Sequence, residues 1–552
     1  MSTYSSIRYI FGYACLLLGW MIPDHIPPWN TFYQEAATAI GIILLWPWQG
    51  LQNFPFRFYI ASFIFITATT VQYFLSIIDF GDFIFAILVA LIFCMTATIG
   101  SNSKQLYYKL EKFYFIILVA ALANTVIGLA QWLDVTQGIW MLDSPNRRVY
   151  GNFAQPNHFS TLLNLGIASL IYCESKNYLK GFFLYTAALI LTFGIVASES
   201  RTGALSLTAI TSIILITRNQ GNIGNSLKWL APNFILFWIL YFFWGSISNF
   251  LNTNATRTGV GLDSSSRFEL WRQMVEAIQL APWTGYGWLQ IGRAQNLVAS
   301  YIGGTSNMDH AHNIFLDVIL WFGIPLGTFV FFFFLLWIIQ IIGKIKSEKD
   351  SPEVLLYAIT LIPIAIHSQL EYPFSYIYFI VVFAYFSGAI EQRITINRYF
   401  SKKFGLFINI IVLSGILLGL GIINDYKKIE DDFRAVRLER NFFTKEENRH
   451  IFNTNPFILT QYGHLIESLR IENFSEKTKK SVDFVKNVTL RFPWLLTYQN
   501  YYALLVAQGY CDEADKQKEI IESLFGRYGI LKIQETIEQQ NLSKFCHTTE
   551  ED

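Results

Sequence analysis

Long apolar stretches separated by short polar segments make up most of the first 423 residues. A transmembrane helix needs roughly 20 mostly apolar residues, and about thirteen stretches fit that description. Their approximate cores are 8–22, 33–48, 57–78, 82–99, 112–133, 157–173, 181–197, 202–217, 229–249, 312–343, 354–370, 374–390 and 404–423. The pattern therefore predicts an all-α, polytopic membrane protein with about thirteen transmembrane helices.

The stretch 312–343 is too long for one simple span, and Gly323-Ile324-Pro325 interrupts it. Proline removes a backbone donor and clashes with the preceding turn of a helix. We therefore expect a short helix, a break, and then a full span.

The last part of the chain has a different pattern. From residue 424 onward, charges of both signs are mixed and apolar residues recur at helical spacing. This predicts a transmembrane domain over 1–423, with an outer loop at 250–309, and a C-terminal helical soluble domain over 424–552. The run Tyr502–Leu524, with Gly509 inside it, resembles one tetratricopeptide helix-turn-helix, which leaves open a docking surface or a stabilising cap.

Composition narrows the class of protein further. Apolar residues are 53% of the chain and charged residues 15%, against roughly 25% charged in soluble proteins. The last 129 residues carry 39 of the 81 charges, so the rest of the chain lacks the charge that a soluble globule or a disordered chain requires. The net charge of +1 argues against a nucleic-acid binder.

Lysine and arginine mark cytoplasmic loops, and here every second loop is basic. The basic set contains Arg8; Arg57; Lys104, Lys109 and Lys112; Lys176 and Lys180; Arg218 and Lys228; Lys344, Lys346 and Lys349; and Arg393, Arg398, Lys402 and Lys403. This alternation predicts a multi-pass protein of the bacterial inner membrane, with a cytoplasmic N-terminus and a periplasmic C-terminal domain. The five cysteines show no metal spacing, and whether Cys511 and Cys546 pair in an oxidising periplasm stays open.

Five polar patches lie next to predicted spans, all on the outer side, where polar groups are costly. The first, Gly151–His158, offers Gln155, Asn157 and His158 at a helix N-terminus, a good place to bind anions or sugar hydroxyls. The simpler alternative is a capped helix in which Asn157 caps after Pro156.

Two patches present arginines. Arg201, in Glu199–Gly203, has a guanidinium fork that suits phosphate oxygens, although a local pair with Glu199 is an alternative. Arg267, in Ser264–Trp271, sits in the first turn of a predicted helix. A cation is disfavoured there unless an anion is bound, although the serines also suit a plain helix cap.

The fourth patch, Asp309–Asn313, contains His310 and His312 directly before a span. Imidazole titrates near neutral pH, so this patch suits a general base or a sugar-positioning group, with helix capping as the alternative. No convincing third metal ligand accompanies the histidines, so the sequence argues against a metal. The fifth patch is His367–Pro373, which includes Tyr372.

These patches together suit a substrate with an anionic head group and a lipid tail. The sequence contains no nucleotide-binding loop and no known hydrolase motif in a supporting context. The free energy that drives the reaction must therefore come from the substrate itself, and a substrate with a pyrophosphate leaving group would supply it.

At these residues the chain resembles the bacterial protein O-oligosaccharyltransferases (PglL type, including pilin glycosylation ligases) of the O-antigen ligase superfamily. His310–Pro325 is similar to the signature of the superfamily, and the stretches around Arg201 and Arg267 are similar to its two phosphate-side arginines. The motifs Gln155-Pro156-Asn157 and Glu371-Tyr372-Pro373 point to the protein-glycosylating branch.

The resemblance implies transfer of a whole glycan from undecaprenyl pyrophosphate to a Ser or Thr hydroxyl of an acceptor protein, without nucleotide or metal cofactor. It implies that Arg201, Arg267 and His312 are catalytic. Gln155, Asn157, His158, His310, Asn313 and Tyr372 are expected to bind substrate. His312 is preferred to His310 because Asn313 follows it.

Two other functions stay open. An O-antigen ligase or polymerase would use the same arginines and histidine, with lipid A core or a growing glycan as acceptor. A lipid-linked sugar transporter would show internal repeats and midplane charges. The sequence shows no clear repeat, and its charges near the membrane lie at an interface.

Overall fold

The computed structural model describes residues 3–48, 51, 53–103, 109–135, 138–144, 148–251, 253, 264–303, 306–348, 352–395, 402–440, 455–471, 474, 478–542 and 544–546. Every regular element in these ranges is a helix, which confirms the predicted all-α class. The α-helices are α1 Thr3–Met21, α2 Phe32–Leu45, α3 Phe56–Phe74, α4 Phe80–Ser101, α5 Lys109–Trp132, α6 Pro156–Ser175, α7 Gly181–Ala197, α8 Arg201–Ile216, α9 Leu227–Phe250, α10 Ser264–Leu280, α11 Ile291–Val298, α12 Ile314–Ser347, α13 Glu353–His367, α14 Ile377–Ile394, α15 Lys402–Arg440, α16 Thr460–Leu469, α17 Lys479–Arg491, α18 Leu495–Ala507 and α19 Cys511–Gln539. Two 3₁₀ turns lie at Ile223–Ser226 and Pro373–Ser375.

Several of these helices are suited to a membrane. Among the described residues, six are long and apolar enough to cross one, and five shorter apolar helices accompany them. The six are Phe80–Ser101, Leu110–Trp132, Ile223–Phe250, Ile314–Ser347, Ile377–Ile394 and Phe404–Glu439. Each of the predicted apolar stretches overlaps a helix, so the sequence pattern located the helices correctly.

The chain divides into two compact units. The first unit comprises Met1–Phe63, Val89–Val260 and Phe333–Ile416; the second comprises Ile64–Leu88, Gly261–Phe332 and Leu417–Asp552. The predicted boundary at 423/424 falls inside the continuous helix α15, Lys402–Arg440.

Helix α6 is central to the first unit, since every residue from His158 to Cys173 is buried. Its Asn164 side-chain N–H group donates to the carbonyls of Ser160 (2.9 Å) and Gly203 (3.2 Å), which ties α6 to the start of α8. A Cβ at Gly203 would lie 2.7 Å from the Ser160 Cβ, so only glycine allows the start of α8 to approach α6 this closely.

The predicted break in the long span is present in the second unit. Gly323 has φ 81° and ψ 169°, which divides α12 into a short helix and a longer one. The break frees the carbonyls of Leu320 and Trp321, and these accept bonds from the backbone N–H groups of Tyr286 and Gly287. The Gln72 amide also donates to the Trp321 carbonyl at 2.8 Å, so the interrupted backbone remains hydrogen-bonded.

The C-terminal helices α16–α19 also belong to the second unit, and buried apolar residues of α17, α18 and α19 pack into one core that also contains Ala299. The predicted helix-turn-helix is present, with α18 ending at Ala507, Gly509 at φ 74°, and α19 beginning at Cys511. Cys511 and Cys546 form a disulfide, which answers the pairing question that the sequence left open.

A buried ion pair joins α4 to α17 in this unit. The Arg491 guanidinium donates two bonds to the Asp82 carboxylate, at 2.7 and 2.8 Å, and Asp82 is buried. Burial disfavours the charged guanidinium, but the charge and hydrogen bonds of Asp82 outweigh that effect and raise the pKa of Arg491. The C-terminal helices are thus fixed to the first turn of a predicted span.

Candidate active site

Gln155 caps helix α6. Its side-chain oxygen accepts a bond from the His158 backbone N–H at 2.9 Å, and Pro156 occupies the first helical position. Asn157 is therefore inside the helix, and the alternative in which Asn157 is the cap is wrong. Its side chain is available for contacts with other elements.

Asn157 joins three of the sequence patches in the first unit. Its side-chain oxygen accepts from the Ser200 hydroxyl at 2.6 Å, and its amide donates to Glu371 at 3.2 Å. Ser200 is the cap of α8 and accepts from the Gly203 N–H at 3.0 Å. Patches separated by 43 and 214 residues thus meet at one side chain.

Arg201 follows Ser200 directly as the first residue of α8, and its side chain is exposed. Across the described residues, no ion pair of Arg201 with Glu199 is found, so the alternative of a local pair is not supported. A solvent-facing guanidinium beside two helix N-termini suits an anionic ligand.

Aromatic rings surround His158 beneath this cluster. Its ring lies 4.5 Å from that of Tyr376 and 5.3 Å from that of His367, measured between centroids. His158 is buried, with Nδ1 3.4 Å from the Tyr378 hydroxyl. Tyr372 stacks on Tyr376 at 6.1 Å, so it belongs to the same group of side chains.

The loop that contains His25 contacts this part of the first unit. The His25 imidazole lies 3.0 Å from the carbonyl oxygen of Asn152, to which its Nε2–H donates. Burial lowers the pKa of His25, although the Asn152 carbonyl and the nearby Asp24 charge oppose the change. A lowered pKa favours the neutral imidazole at pH 7.

The second unit contains the paired histidines. Asn313 caps the first part of α12: its side-chain oxygen accepts from the N–H groups of Phe315 (3.0 Å) and Leu316 (3.2 Å). His312 precedes this cap and has φ 55°, a left-handed conformation that His and Asn adopt more readily than most residues. The alternative in which His312 caps the helix is therefore wrong.

Asp317 holds the segment before His312. One carboxylate oxygen lies 3.1 Å from Nδ1 of His310, and the other accepts from the Ala311 N–H at 2.7 Å. Because a carboxylate is only an acceptor, the His310 Nδ1 carries the hydrogen. His310 and His312 are both buried, with exposed fractions of 7% and 6%.

Helix α10 is tied to the same segment. The Trp271 indole N–H donates to the Ala311 carbonyl at 2.9 Å, and Arg267 lies one turn earlier on α10. The third and fourth sequence patches are therefore parts of one arrangement. The side chains of Ser264–Ser266, which the capping alternative concerns, lie outside what the structure describes.

Buried glutamines support α10. Gln273 donates to the Ile302 carbonyl, and Gln295 of α11 donates to Gln273 at 3.2 Å and accepts from the Met308 N–H at 2.9 Å. The segment 250–309, predicted as an outer loop that contains one helix around Arg267, thus contains two packed helices, α10 and α11. They lead into the histidine segment, Asp309–Asn313.

The predicted site residues thus form two groups. Gln155, Asn157, His158, Arg201 and Tyr372 belong to the first unit; Arg267, His310, His312 and Asn313 belong to the second. Sequence reasoning missed Ser200, Trp271 and Asp317. A signal for Asp317 was present, because it is the one charge between Asn313 and Lys344.

The sequence argued against a metal site. Among the described residues, no group of three or more His, Cys, Asp or Glu side chains has the geometry to hold a metal ion.

Comparison with known families agrees with these motifs. A family described as O-antigen ligase matches residues 186–339, and one described as virulence factor membrane-bound polymerase, C-terminal, matches residues 354–533. A third family, described as protein glycosylation ligase, matches residues 149–172, which contain the Gln155 motif.

Two characterised relatives cover almost the whole chain. A general O-oligosaccharyltransferase of Acinetobacter baylyi is 26% identical over 528 residues, which are 91% of this chain and 89% of that protein. A ComP-specific O-oligosaccharyltransferase of the same organism is 25% identical over 559 residues, 97% of each chain.

The helical fold and these matches support a membrane glycosyltransferase similar to the O-antigen ligases. Together with the protein glycosylation ligase match and the two relatives, they support the PglL-type protein O-oligosaccharyltransferase that the motifs predicted.

Proposed function

We propose that this enzyme transfers a preassembled glycan en bloc from undecaprenyl pyrophosphate to a Ser or Thr hydroxyl of a periplasmic protein such as a pilin. Protein O-glycosylation is the activity of its family. The observation that carries the proposed chemistry is the bond from Trp271 to Ala311, because it joins the helix of a candidate phosphate-binding cation, Arg267, to the segment of a candidate base, His312.

In the proposed reaction, the acceptor oxygen attacks the anomeric carbon, and the bond between that carbon and the phosphate oxygen breaks. The electron pair leaves with undecaprenyl pyrophosphate, whose growing negative charge Arg201 and Arg267 stabilise. The acceptor proton passes to His312, and direct displacement inverts the anomeric centre.

The remaining predicted residues take positioning roles. Gln155 and Asn157 organise the N-termini of α6 and α8 beside Arg201, which supports binding of anionic or sugar groups there. Tyr372 and His158 line the aromatic group next to Asn157. His310 and Asn313 support the segment that carries His312. No metal or nucleotide takes part in this scheme.

We also infer the predicted topology of about thirteen spans in the bacterial inner membrane, with a cytoplasmic N-terminus and a periplasmic domain at 424–552. Ion pairs in the first unit support it. Arg57 pairs with Glu391 at 3.5 Å, and Lys176 and Arg393 both pair with Glu353, so four predicted cytoplasmic loops share contacts.

Contacts at the opposite ends of the same helices support this topology as well. Asn157 begins α6, whereas Lys176 directly follows it; Glu371 follows α13, whereas Glu353 begins it. The contact between Asn157 and Glu371 thus lies at the ends that the topology assigns to the periplasm.

A second function within the superfamily is glycan polymerisation or ligation to lipid A core. This second function is kept as an alternative because residues 354–533 match a family described as virulence factor membrane-bound polymerase, C-terminal. The two functions share the donor and differ in the acceptor, so only the product distinguishes them.

Mass spectrometry of membrane and periplasmic proteins in the native host tests the proposal. Strains carrying the gene, lacking it, or complemented with His312→Asn are compared. We expect glycopeptides modified at Ser or Thr only with the wild-type gene. Unchanged glycopeptides, accompanied by shortened or missing O-antigen in the deletion strain, would instead indicate the polymerase or ligase function.

A further inference from the structure

We infer that Asp317 is a positioning residue for glycan transfer: its carboxylate fixes the His310–Ala311 backbone and thereby orients His312. The inference rests on the proposed role of His312. It assigns a role to a residue that lies within the stretch His310–Pro325 but was not among the predicted site residues.

Both oxygens of Asp317 are used, and both partners precede His312. Oδ2 lies 3.1 Å from the His310 Nδ1, and Oδ1 lies 2.7 Å from the Ala311 N–H. Asp317 has no exposed surface. Hydrogen bonds to a buried carboxylate are stronger than neutral ones, so this attachment is firm.

Burying the Asp317 carboxylate costs free energy unless it has such hydrogen-bond partners. It lies within an apolar helix, Ile314–Phe322, where a leucine would pack without any loss of hydration. The N-terminus of the helix offsets part of this cost by favouring negative charge in the first turn. The two hydrogen bonds to His310 and Ala311 provide further compensation.

Ala311 is held from both sides. Asp317 accepts from its N–H, and Trp271 donates to its carbonyl at 2.9 Å. The next residue is His312, whose left-handed backbone conformation persists only where the surroundings enforce it. With the position of Ala311 and the Asn313 cap both fixed, the backbone on each side of His312 is held.

Reactive groups must be placed closely, and a displacement of about 1 Å can lower a rate 10²-fold. Asp317→Leu removes both bonds at similar volume, so we expect kcat to fall about 10²-fold, with the KM for the lipid-linked donor changed less than threefold. In Asp317→Asn, the side-chain oxygen can still accept from the Ala311 N–H. The amide can donate to the His310 Nδ1 when the imidazole hydrogen is on Nε2 instead. We expect Asp317→Asn to lose less than tenfold.

Asp425→Leu is the matched control. Asp425 is also a buried carboxylate of the second unit that accepts backbone bonds, from Ile458 at 2.6 Å and Leu459 at 3.3 Å. Within the described part of the chain, it makes no hydrogen bond to residues 309–313. We expect it to lower the thermal midpoint while the kcat of the folded protein stays within threefold of wild type.

The experiment measures kcat, KM and the pH profile of kcat for the purified full-length variants, scaled to folded protein. We expect Asp317→Leu to keep the shape of the pH profile, since His312 still takes the proton. The inference is overturned if folded Asp317→Leu keeps kcat within threefold, or if Asp317→Asn is as impaired as Asp317→Leu.

A second comparison applies if Asp317→Leu does not accumulate. Asp317→Asn and His310→Phe both leave an oxygen acceptor for the Ala311 N–H, so each is expected to keep at least a tenth of wild-type kcat. A kcat no higher than background in either variant overturns the inference.

His312→Asn distinguishes failure of the inference from failure of the proposed function. If His312→Asn is active, the proposed role of His312 fails. If His312→Asn is inactive while Asp317→Leu accumulates and is active, only the role of Asp317 fails.

Discussion

The indole N–H of Trp271 lies 2.9 Å from the carbonyl oxygen of Ala311, to which it donates a hydrogen bond. Trp271 is one turn beyond Arg267, and Ala311 separates His310 from His312. A cation and an imidazole from segments 40 residues apart are therefore parts of one structure. This relationship links charge stabilisation to proton transfer in the proposed reaction.

Trp271→Phe should weaken this link while retaining the aromatic ring. One neutral hydrogen bond is worth about 0.5–1.5 kcal/mol, so we expect transfer to slow by about threefold to tenfold. Rates of glycan transfer by purified protein provide the measurement. Trp283→Phe is the control, because Trp283 is 74% exposed and should tolerate the change. Equal rates for Trp271→Phe and Trp283→Phe would contradict a role for the bond.

His312→Asn separates chemistry from backbone conformation. Asparagine adopts positive φ readily and Asn313 remains as the cap, so the fold should be retained. A general base contributes about 10²–10⁴-fold, and we expect a loss of that size in a glycosylation assay at normal protein level. His310→Ala should be milder. Near-full activity of His312→Asn would remove the residue from the mechanism.

Arg201→Lys and Arg267→Lys should each impair transfer, because a point charge replaces a bidentate fork. Arg272→Lys is a matched control for Arg267 on the same helix, since Arg272 is exposed. We expect a smaller effect for Arg147→Lys; Arg147 lies outside the described residues. If both Arg201→Lys and Arg267→Lys transfer glycan at the wild-type rate, the proposed role of these arginines in binding pyrophosphate is refuted.

The pair of Asp82 and Arg491 should stabilise the second unit. Removing one partner of a buried ion pair leaves an uncompensated charge and typically costs about 3–5 kcal/mol. We expect Asp82→Ala and Arg491→Ala to lower the thermal midpoint in detergent. The double variant Asp82→Leu/Arg491→Met should recover part of the loss, and a double variant as unstable as the sum of both singles would argue against a direct pair.

His464 gives the second unit a pH-dependent contact. A hydrogen bond to Asp79, at 3.5 Å, raises the pKa of His464; burial opposes this, and the charges of Asp79 and Glu467 assist it. Because the folded-state pKa is raised, the stabilisation is complete below the unfolded value of 6.5 and is lost as pH rises through the folded pKa.

The difference in thermal midpoint between wild type and His464→Gln should therefore be largest at acid pH and shrink toward pH 9. Both side chains of the pair are about 40% exposed, so the effect should be small and weaken with salt. A difference that grows with pH would contradict this assignment.

Much of the fold followed from local sequence signals. Apolar length located the helices, and Gly323-Ile324-Pro325 located the break in α12, because these are properties of a short stretch of chain. The contacts of Asn157 did not follow, since its partners Ser200 and Glu371 lie on other helices. Long-range contacts leave no periodic signal in a single sequence.

The candidate site shows the same division. Residue type alone indicates which chemistry each patch could perform, so Arg201, Arg267 and the histidines could be proposed as site residues from the sequence. The capping alternatives named Asn157 and His312, whereas the caps are the nearby Gln155 and Asn313, whose side chains are also able to cap a helix. Asp317 was missed because its function depends on the folding back of the His310–Ala311 segment onto its helix.

The most direct test of the central claim uses purified enzyme, an undecaprenyl-pyrophosphate-linked oligosaccharide and a purified pilin acceptor from the host. Intact-mass spectrometry follows the acceptor, and chromatography follows release of undecaprenyl pyrophosphate. We expect the acceptor mass to increase by one whole glycan for each undecaprenyl pyrophosphate released, and His312→Asn to give neither product. Release of undecaprenyl pyrophosphate with an unmodified acceptor and lengthened glycan chains would contradict the account.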